Sequence, residues 1–158
     1  DDRQARSVAL RDLAGLATAL AATSELRQES LQQGSAFLAV TRAAWPHPDL
    51  EASAGAIGAD TAYPVCFGAA VAAHSCRLET AVDGYLFAMA ANWVSAAVRL
   101  NVIGQTQAQA LAAEQAALAQ AIGARARAGD LDDLGTCAFL ADIAAFRHEQ
   151  QHARLFRS

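Results

Sequence analysis

The sequence predicts an all-α protein, a multi-helix bundle of about six helices. Alanine, the strongest helix former, accounts for 42 of the 158 residues. Only three residues are proline, and no segment shows the apolar–polar alternation of a half-buried strand. The length suits a single domain over 1–158, able to bury about two-thirds of the surface its unfolded chain exposes. Alanine contributes little apolar area per residue. Such a core gains its stability from close helix–helix approach rather than from bulky side chains.

The elements follow in order. Residues 3–21 read as a first helix, with Leu13, Leu16 and Leu20 at spacings of three and four. Thr23 or Ser24 can cap a second helix through about Ala44. Leu31, Gly34 and Leu38 form its stripe, with Gly34 allowing another helix to come close. Trp45-Pro46-His47-Pro48 ends it, because proline removes a donor and restricts its predecessor. Residues 49–62, small and Gly-containing, read as a loop. Pro64 opens a nearly uncharged, buried helix to about Ser75. Val82, Leu86, Met89, Trp93, Ala96 and Leu100 then mark an amphipathic helix over 81–101. Gly104 breaks it, Thr106 caps a helix to about Ala128, and Gly129-Asp130 closes that one. The last helix runs from Cys137 or Ala138 to about Arg154, so residues 139–158 comprise this helix and a tail.

Charge and cysteine usage narrow the function. Twelve arginines against 16 acids give a net charge of −4, contrary to the basic surface that nucleic-acid binding needs. Cys66, Cys76 and Cys137 are odd in number and form no C-x-x-C, which points to reduced thiols in core positions. No apolar run reaches membrane-spanning length and no signal peptide is visible. A cytoplasmic protein, with neither nucleic acid nor membrane as partner, is expected. The opening Asp1-Asp2-Arg3-Gln4, without methionine, reads as the start of a piece of a longer protein.

The last eleven residues carry two incompatible readings. His148-Glu149-Gln150-Gln151-His152 matches H-E-x-x-H, where histidines four apart share a helix face, hold zinc, and leave the glutamate as general base. That would make the protein a zinc-dependent hydrolase. A third protein ligand is needed, however, and only six residues follow His152. His47, His74 and the cysteines show no spacing that supplies it upstream. At about 100° per residue, Phe139, Ile143 and Phe146 share one helix face, with His148 and His152 roughly opposite. If the aromatic face is buried, both histidines meet solvent or a partner and remain at most weak metal candidates. The glycines follow neither the Walker A nor the dinucleotide pattern.

The second reading takes Arg147-His148-Glu149 together with Arg154-Leu155-Phe156-Arg157-Ser158. This ending, R-H-E-x-Q-x-x-R-L-F-R-S, resembles the C-terminal signature of the UreF family of urease accessory proteins. Glu25-Leu26-Arg27-Gln28-Glu29 followed by Gly34-Ser35-Ala36-Phe37 is similar to an interior family segment. So is Trp93 to Leu100 with Arg99, followed by Gly104-Gln105-Thr106-Gln107-Ala108-Gln109. The proline usual before G-Q is replaced by Val102-Ile103. His152 stands where tyrosine is common, and the family's N-terminal portion is missing. Helices that this portion would cover are expected to expose apolar residues, in keeping with a mean hydropathy of +0.16.

The resemblance implies an all-helical, non-enzymatic protein without a cofactor. It implies a scaffold that tends to homodimerise and bridges the accessory protein UreD (UreH) and the GTPase UreG, so that nickel reaches apo-urease. Partner binding is then expected of Arg147, His148, Glu149, Arg154, Leu155, Phe156, Arg157 and Ser158. Arg27, Gly34, Arg99, Gly104, Gln105 and Gln109 are expected to form a second interface or a structural motif. Two arginines flanking Leu-Phe suit such a role, since arginine and aromatic side chains are enriched as interface anchors.

The scaffold and hydrolase readings separate in one experiment. Glu149→Gln is expected to leave peptidase activity at background, where the unchanged protein also stands. Zinc retained at one ion per chain after dialysis against a chelator would overturn this.

Overall fold

The computed structural model describes residues 2–135 and 138–151, with side chains from residue 4 onward. Among them are seven α-helices, one short 3-10 turn and no strand. The helices are α1 (Asp2–Ala19), α2 (Ser24–Ala44), α3 (Pro48–Ile57), α4 (Tyr63–Ala73), α5 (Leu78–Arg99), α6 (Gln105–Ala128) and α7 (Phe139–Glu149). They fall into two compact units. The first is Asp1–Ser75 with Thr136–Ser158, and the second is Cys76–Gly135.

The first unit is built on α2 and α4. Thr23 starts α2 as the sequence suggests, its side chain accepting the Leu26 N–H at 3.2 Å. Trp45 closes the helix ahead of Pro46 by donating its backbone N–H to the Thr41 carbonyl. Gly34, Leu38 and Thr41 are the buried stripe of α2. An added Cβ on Gly34 would collide with the Thr61 carbonyl oxygen and the Tyr63 nitrogen. The close neighbour is therefore the backbone entering α4 rather than the flank of a helix. Ser30 on the same face accepts the Tyr63 N–H at 3.2 Å.

The loop expected over 49–62 is mostly helix, and α3 is the element beyond the expected six. Its small residues hid strong end signals. His47 is its N-cap, with Nδ1 accepting the Asp49 N–H at 3.2 Å. Pro48 stands in the first turn, where its missing N–H has no cost, and Asp49 and Glu51 add favourable charge there. Gly58 ends the helix at φ 82°, a conformation glycine adopts without strain. Leu50, Ala54 and Ile57, spaced four and three, enter a core with Leu38, Cys66, Ala69, Ala70 and Ala73. Across the surface Arg42 grips Glu51 with both ends of its guanidinium, lowering the Glu51 pKa.

Two expected stripes sit differently. In α1, Leu10, Leu13, Ala14 and Ala17 are among the partly buried positions, while Leu16 and Leu20 are exposed. The helix is turned so that Leu10 reaches the core cluster. The α4 segment behaves as read, with Cys66, Ala69, Ala70 and Ala73 buried. Burial pushes the Cys66 thiol pKa up, and its Sγ donates to the Thr61 carbonyl at 3.4 Å. Cys66 is thus a protonated core thiol, whereas Cys76 is exposed.

The second unit is a hairpin of α5 and α6. Asn101, at φ 56°, ends α5 instead of Gly104. Its N–H reaches Val98 O and that of Val102 reaches Ala97 O, the paired bonds of a Schellman ending. Gly104 becomes the N-cap of α6, displacing Thr106 from that role. The facing positions are small: Ala81, Ala108, Ala119 and Gly123 are buried. Gly123 leaves room for Asp83, which pairs with Arg127 at 2.8 Å. The stripe read from the sequence is only half covered, with Val82, Leu86 and Ala96 partly buried. Within this unit Met89, Trp93 and Leu100 are exposed, Trp93 at 69%.

Gly34→Ala is expected to cost about 1–3 kcal/mol, because the blocking atoms are backbone and cannot turn aside. Gly15→Ala, where nothing lies within 4 Å, should instead stabilise by about 0.5–1 kcal/mol. Denaturant unfolding of both variants checks the contrast. Equal midpoints would show that α2 does not depend on that approach.

Candidate functional site: the last helix and its seat

α7 meets the first unit through its polar side. The half-buried positions of the helix are Asp142, Ala145, His148 and Glu149, at helical spacings that define one face. His148 Nδ1 lies 2.9 Å from Glu25 Oε2. Ser24 Oγ donates to the Glu149 carboxylate. Both partners stand at the start of α2. The Glu25 carboxylate in the first turn of α2 complements the dipole of that helix.

The consequence overturns the expected orientation of α7. Phe139, Leu140, Ile143 and Phe146 face outward, with Phe139 71% and Leu140 85% exposed. No residue of α7 is fully buried. An amphipathic pattern says which residues share a face, not which face meets the protein. Here the Ser24–Glu25 pair selects the polar face, and the apolar face is left open. Arg147 is exposed, while His148 and Glu149 are drawn inward. Sequence reading missed Ser24 and Glu25. The signal available was an acid two residues after a helix cap, with no clue to its distant partner.

The other predicted site residues are distributed between the two units. Arg27 is exposed on α2 and lines two shallow grooves there, one shared with Ala17, Leu20 and Ala21, the other with Gln28, Gln32 and Ser35. Gly34 is a packing residue of the first unit. Arg99, Gly104, Gln105 and Gln109 are exposed around the α5–α6 turn of the second. Arg99 Nη1 donates to Ser95 Oγ at 2.8 Å. His152, Arg154, Leu155, Phe156, Arg157 and Ser158 lie outside the described residues.

Chemically the seat resembles a docking joint more than a reaction centre. A carboxylate on one ring nitrogen of His148 would still let the other ligate a metal. The Glu149 carboxylate, however, already accepts from Ser24. Among the described residues no three His, Cys, Asp or Glu side chains converge in a metal-holding group. No described helix is long and apolar enough to cross a membrane.

Comparison with known proteins agrees with the resemblance in the sequence. The sequence model of the UreF family matches residues 2–116. The chain is 46% identical over 150 residues to the urease accessory protein UreF of Xanthobacter autotrophicus, covering 95% of this chain and 62% of that protein. It is 45% identical over 150 residues to the UreF of Azorhizobium caulinodans, covering 95% and 65%. Against a UreF of Rhodopseudomonas palustris it is 42% identical over 154 residues, covering 98% and 63%. The chain thus spans less than two thirds of the length of these relatives. No solved structure matches it.

His148→Ala or Glu25→Ala is expected to loosen α7 selectively. Loss of one partly exposed hydrogen bond, about 1 kcal/mol, should speed amide exchange over Phe139–Glu149 by about fivefold. Exchange in the α2–α4 core should not change. Unaltered exchange in α7 would show that these contacts are not its tether.

Proposed function

The chain belongs to the UreF family of urease accessory proteins, and on that premise we propose that it is a non-catalytic scaffold of urease maturation. It bridges the accessory protein UreD (UreH) and the GTPase UreG in the cytoplasm, so that nickel, the cargo, is inserted into apo-urease. The observation that carries this reading is the two-sided α7. Its polar face engages Ser24 and Glu25, and its apolar residues are exposed. A helix seated in this way acts as an adaptor.

The apolar side supplies the components of an interface. Phe139, Leu140, Ile143 and Phe146 form an aromatic and aliphatic patch, with the Arg147 guanidinium beside it. Aromatic and arginine side chains carry much of the energy of protein interfaces. The tail sequence from Arg154 to Ser158 holds the same residue types. We assign the patch and the tail together to the UreD-type partner. The exposed Met89, Trp93 and Leu100 of α5 are suited to a second copy of the chain, consistent with a homodimer. The hydrolase reading lacks support of this kind, since its general base is engaged with Ser24 and no third ligand converges on it among the described residues.

Deleting Arg154 to Ser158, or changing Leu155 and Phe156 to alanine, is expected to weaken capture of the UreD-type partner by about several-hundred-fold or more, at roughly 2 kcal/mol for each buried anchor. Phe139→Ala with Phe146→Ala should weaken it in the same direction. Helical content should persist, and urease from such cells should stay nickel-poor. Full partner capture and full urease activation by the tail-deleted protein would refute the assignment.

A further inference from the structure

A second pair of histidines lies in the first unit, well away in sequence from the H-E-x-x-H pattern. His47 and His74 are 27 positions apart, yet their ring centres are 5.3 Å apart with the planes at 62°. The fold sets this separation. His47 is pinned between Pro46 and Pro48 as the N-cap of α3, and His74 is the C-cap of α4. α3 and α4 pack against each other through Leu50, Ala54, Ala69 and Ala70. His74 is exposed and the His47 side chain is 36% exposed, so both rings are reachable from solvent.

We infer that His47 and His74 form a two-imidazole site for a borderline divalent transition-metal ion. Imidazole nitrogens sit about 2.1 Å from such an ion, which puts two ring centres about 4.6–5.3 Å apart for ligand angles from octahedral to tetrahedral. The observed spacing falls at the tetrahedral end of that range. The terminal torsion of histidine has broad minima, so turning the exposed His74 ring costs little.

His47 must change tautomer to take part. Its Nδ1 now accepts the Asp49 N–H, which leaves the proton on Nε2. With the proton moved to Nδ1, Nε2 is available to the metal, and the new N–H faces Asp49 Oδ2, 3.9 Å away. A metal-bound histidine whose other nitrogen donates to a carboxylate is the usual supporting arrangement. The exchange gives up one capping hydrogen bond, and the Asp49 side chain has to close in from 3.9 Å before it accepts the new N–H. The carbonyl end of α4 beside His74 and the Asp49 carboxylate both favour a cation here. Arg42, near the end of α2, is held by Glu51.

Two protein ligands leave the remaining positions to water, since no third His, Cys, Asp or Glu converges among the described residues. The ion would therefore exchange readily and be removed by chelators. Imidazole donors favour copper, nickel and zinc over magnesium and calcium. This inference does not rest on the proposed role in urease maturation.

Equilibrium dialysis of the purified protein against NiCl2 is the test, with MgCl2 as the control. His47→Asn retains an N-cap side chain for α3 and removes the imidazole, so loss of folding does not confuse the result. His47→Asn and His74→Ala are each expected to weaken nickel binding by about tenfold or more, and Asp49→Asn by about tenfold. His148→Ala with His152→Ala should retain the site. Nickel binding that survives His47→Asn and His74→Ala together, or is lost only in the His148/His152 variant, overturns the inference. So does the absence of binding at millimolar nickel.

Discussion

The approach of α2 to the chain entering α4 is the constraint on which the first unit depends. At Gly34 the two backbones lie so close that a single methyl group would strike the Thr61 carbonyl and the Tyr63 nitrogen. That contact holds Thr61 fully buried, its hydroxyl donating to Ile57 O and its carbonyl accepting from Cys66. It also stacks Phe37 edge-on to Tyr63 at 5.3 Å. The end of α3, the start of α4 and the middle of α2 are thereby fixed at one point. The first turn of α2, carrying Ser24 and Glu25, is then held in place to receive the last helix.

The two units solve the same problem differently. In the first, Leu38, Leu50 and Ile57 provide a modest apolar core around small residues. In the second, alanines and Gly123 bring α5 and α6 together, and Phe87, Met89 and Trp93 of α5 stay exposed. The Asp83–Arg127 pair fixes the register of that hairpin, with both side chains only about a fifth exposed. Breaking such a pair from one side leaves the other charge poorly solvated, so it disfavours sliding more than it adds stability. Both units leave large apolar side chains exposed, Trp93 and Leu140 among them.

Helix existence was legible wherever end signals were strong. Thr23 and Trp45-Pro46 bracket α2, Pro64 opens α4, and Gly129 closes α6, all as read. α3 was obscured because its residues are small and its cap is a histidine, an uncommon choice whose ring nitrogen does the work of a serine oxygen. At Asn101 the left-handed residue that ends α5 is asparagine, three positions before the glycine that drew attention. The candidate site was less legible than the fold. Periodicity grouped Phe139, Ile143 and Phe146 correctly, but their outward direction depends on Ser24 and Glu25, more than a hundred residues earlier. No local pattern contains such a contact. The family, by contrast, was readable from short motifs spread along the chain, one of which, at Gly34, marks a close backbone approach.

The alanine-lined contact of α5 and α6 has a thermodynamic consequence. The heat capacity of unfolding scales with the apolar area newly exposed to water. Methyl-sized side chains at Ala81, Ala108 and Ala119 hide little of it. The stability of that hairpin should therefore vary gently with temperature, along a broad, shallow curve without a sharp optimum. It should also respond weakly to denaturant, since the same area sets that slope. The α5–α6 hairpin should therefore keep much the same stability in the cold as in the warm.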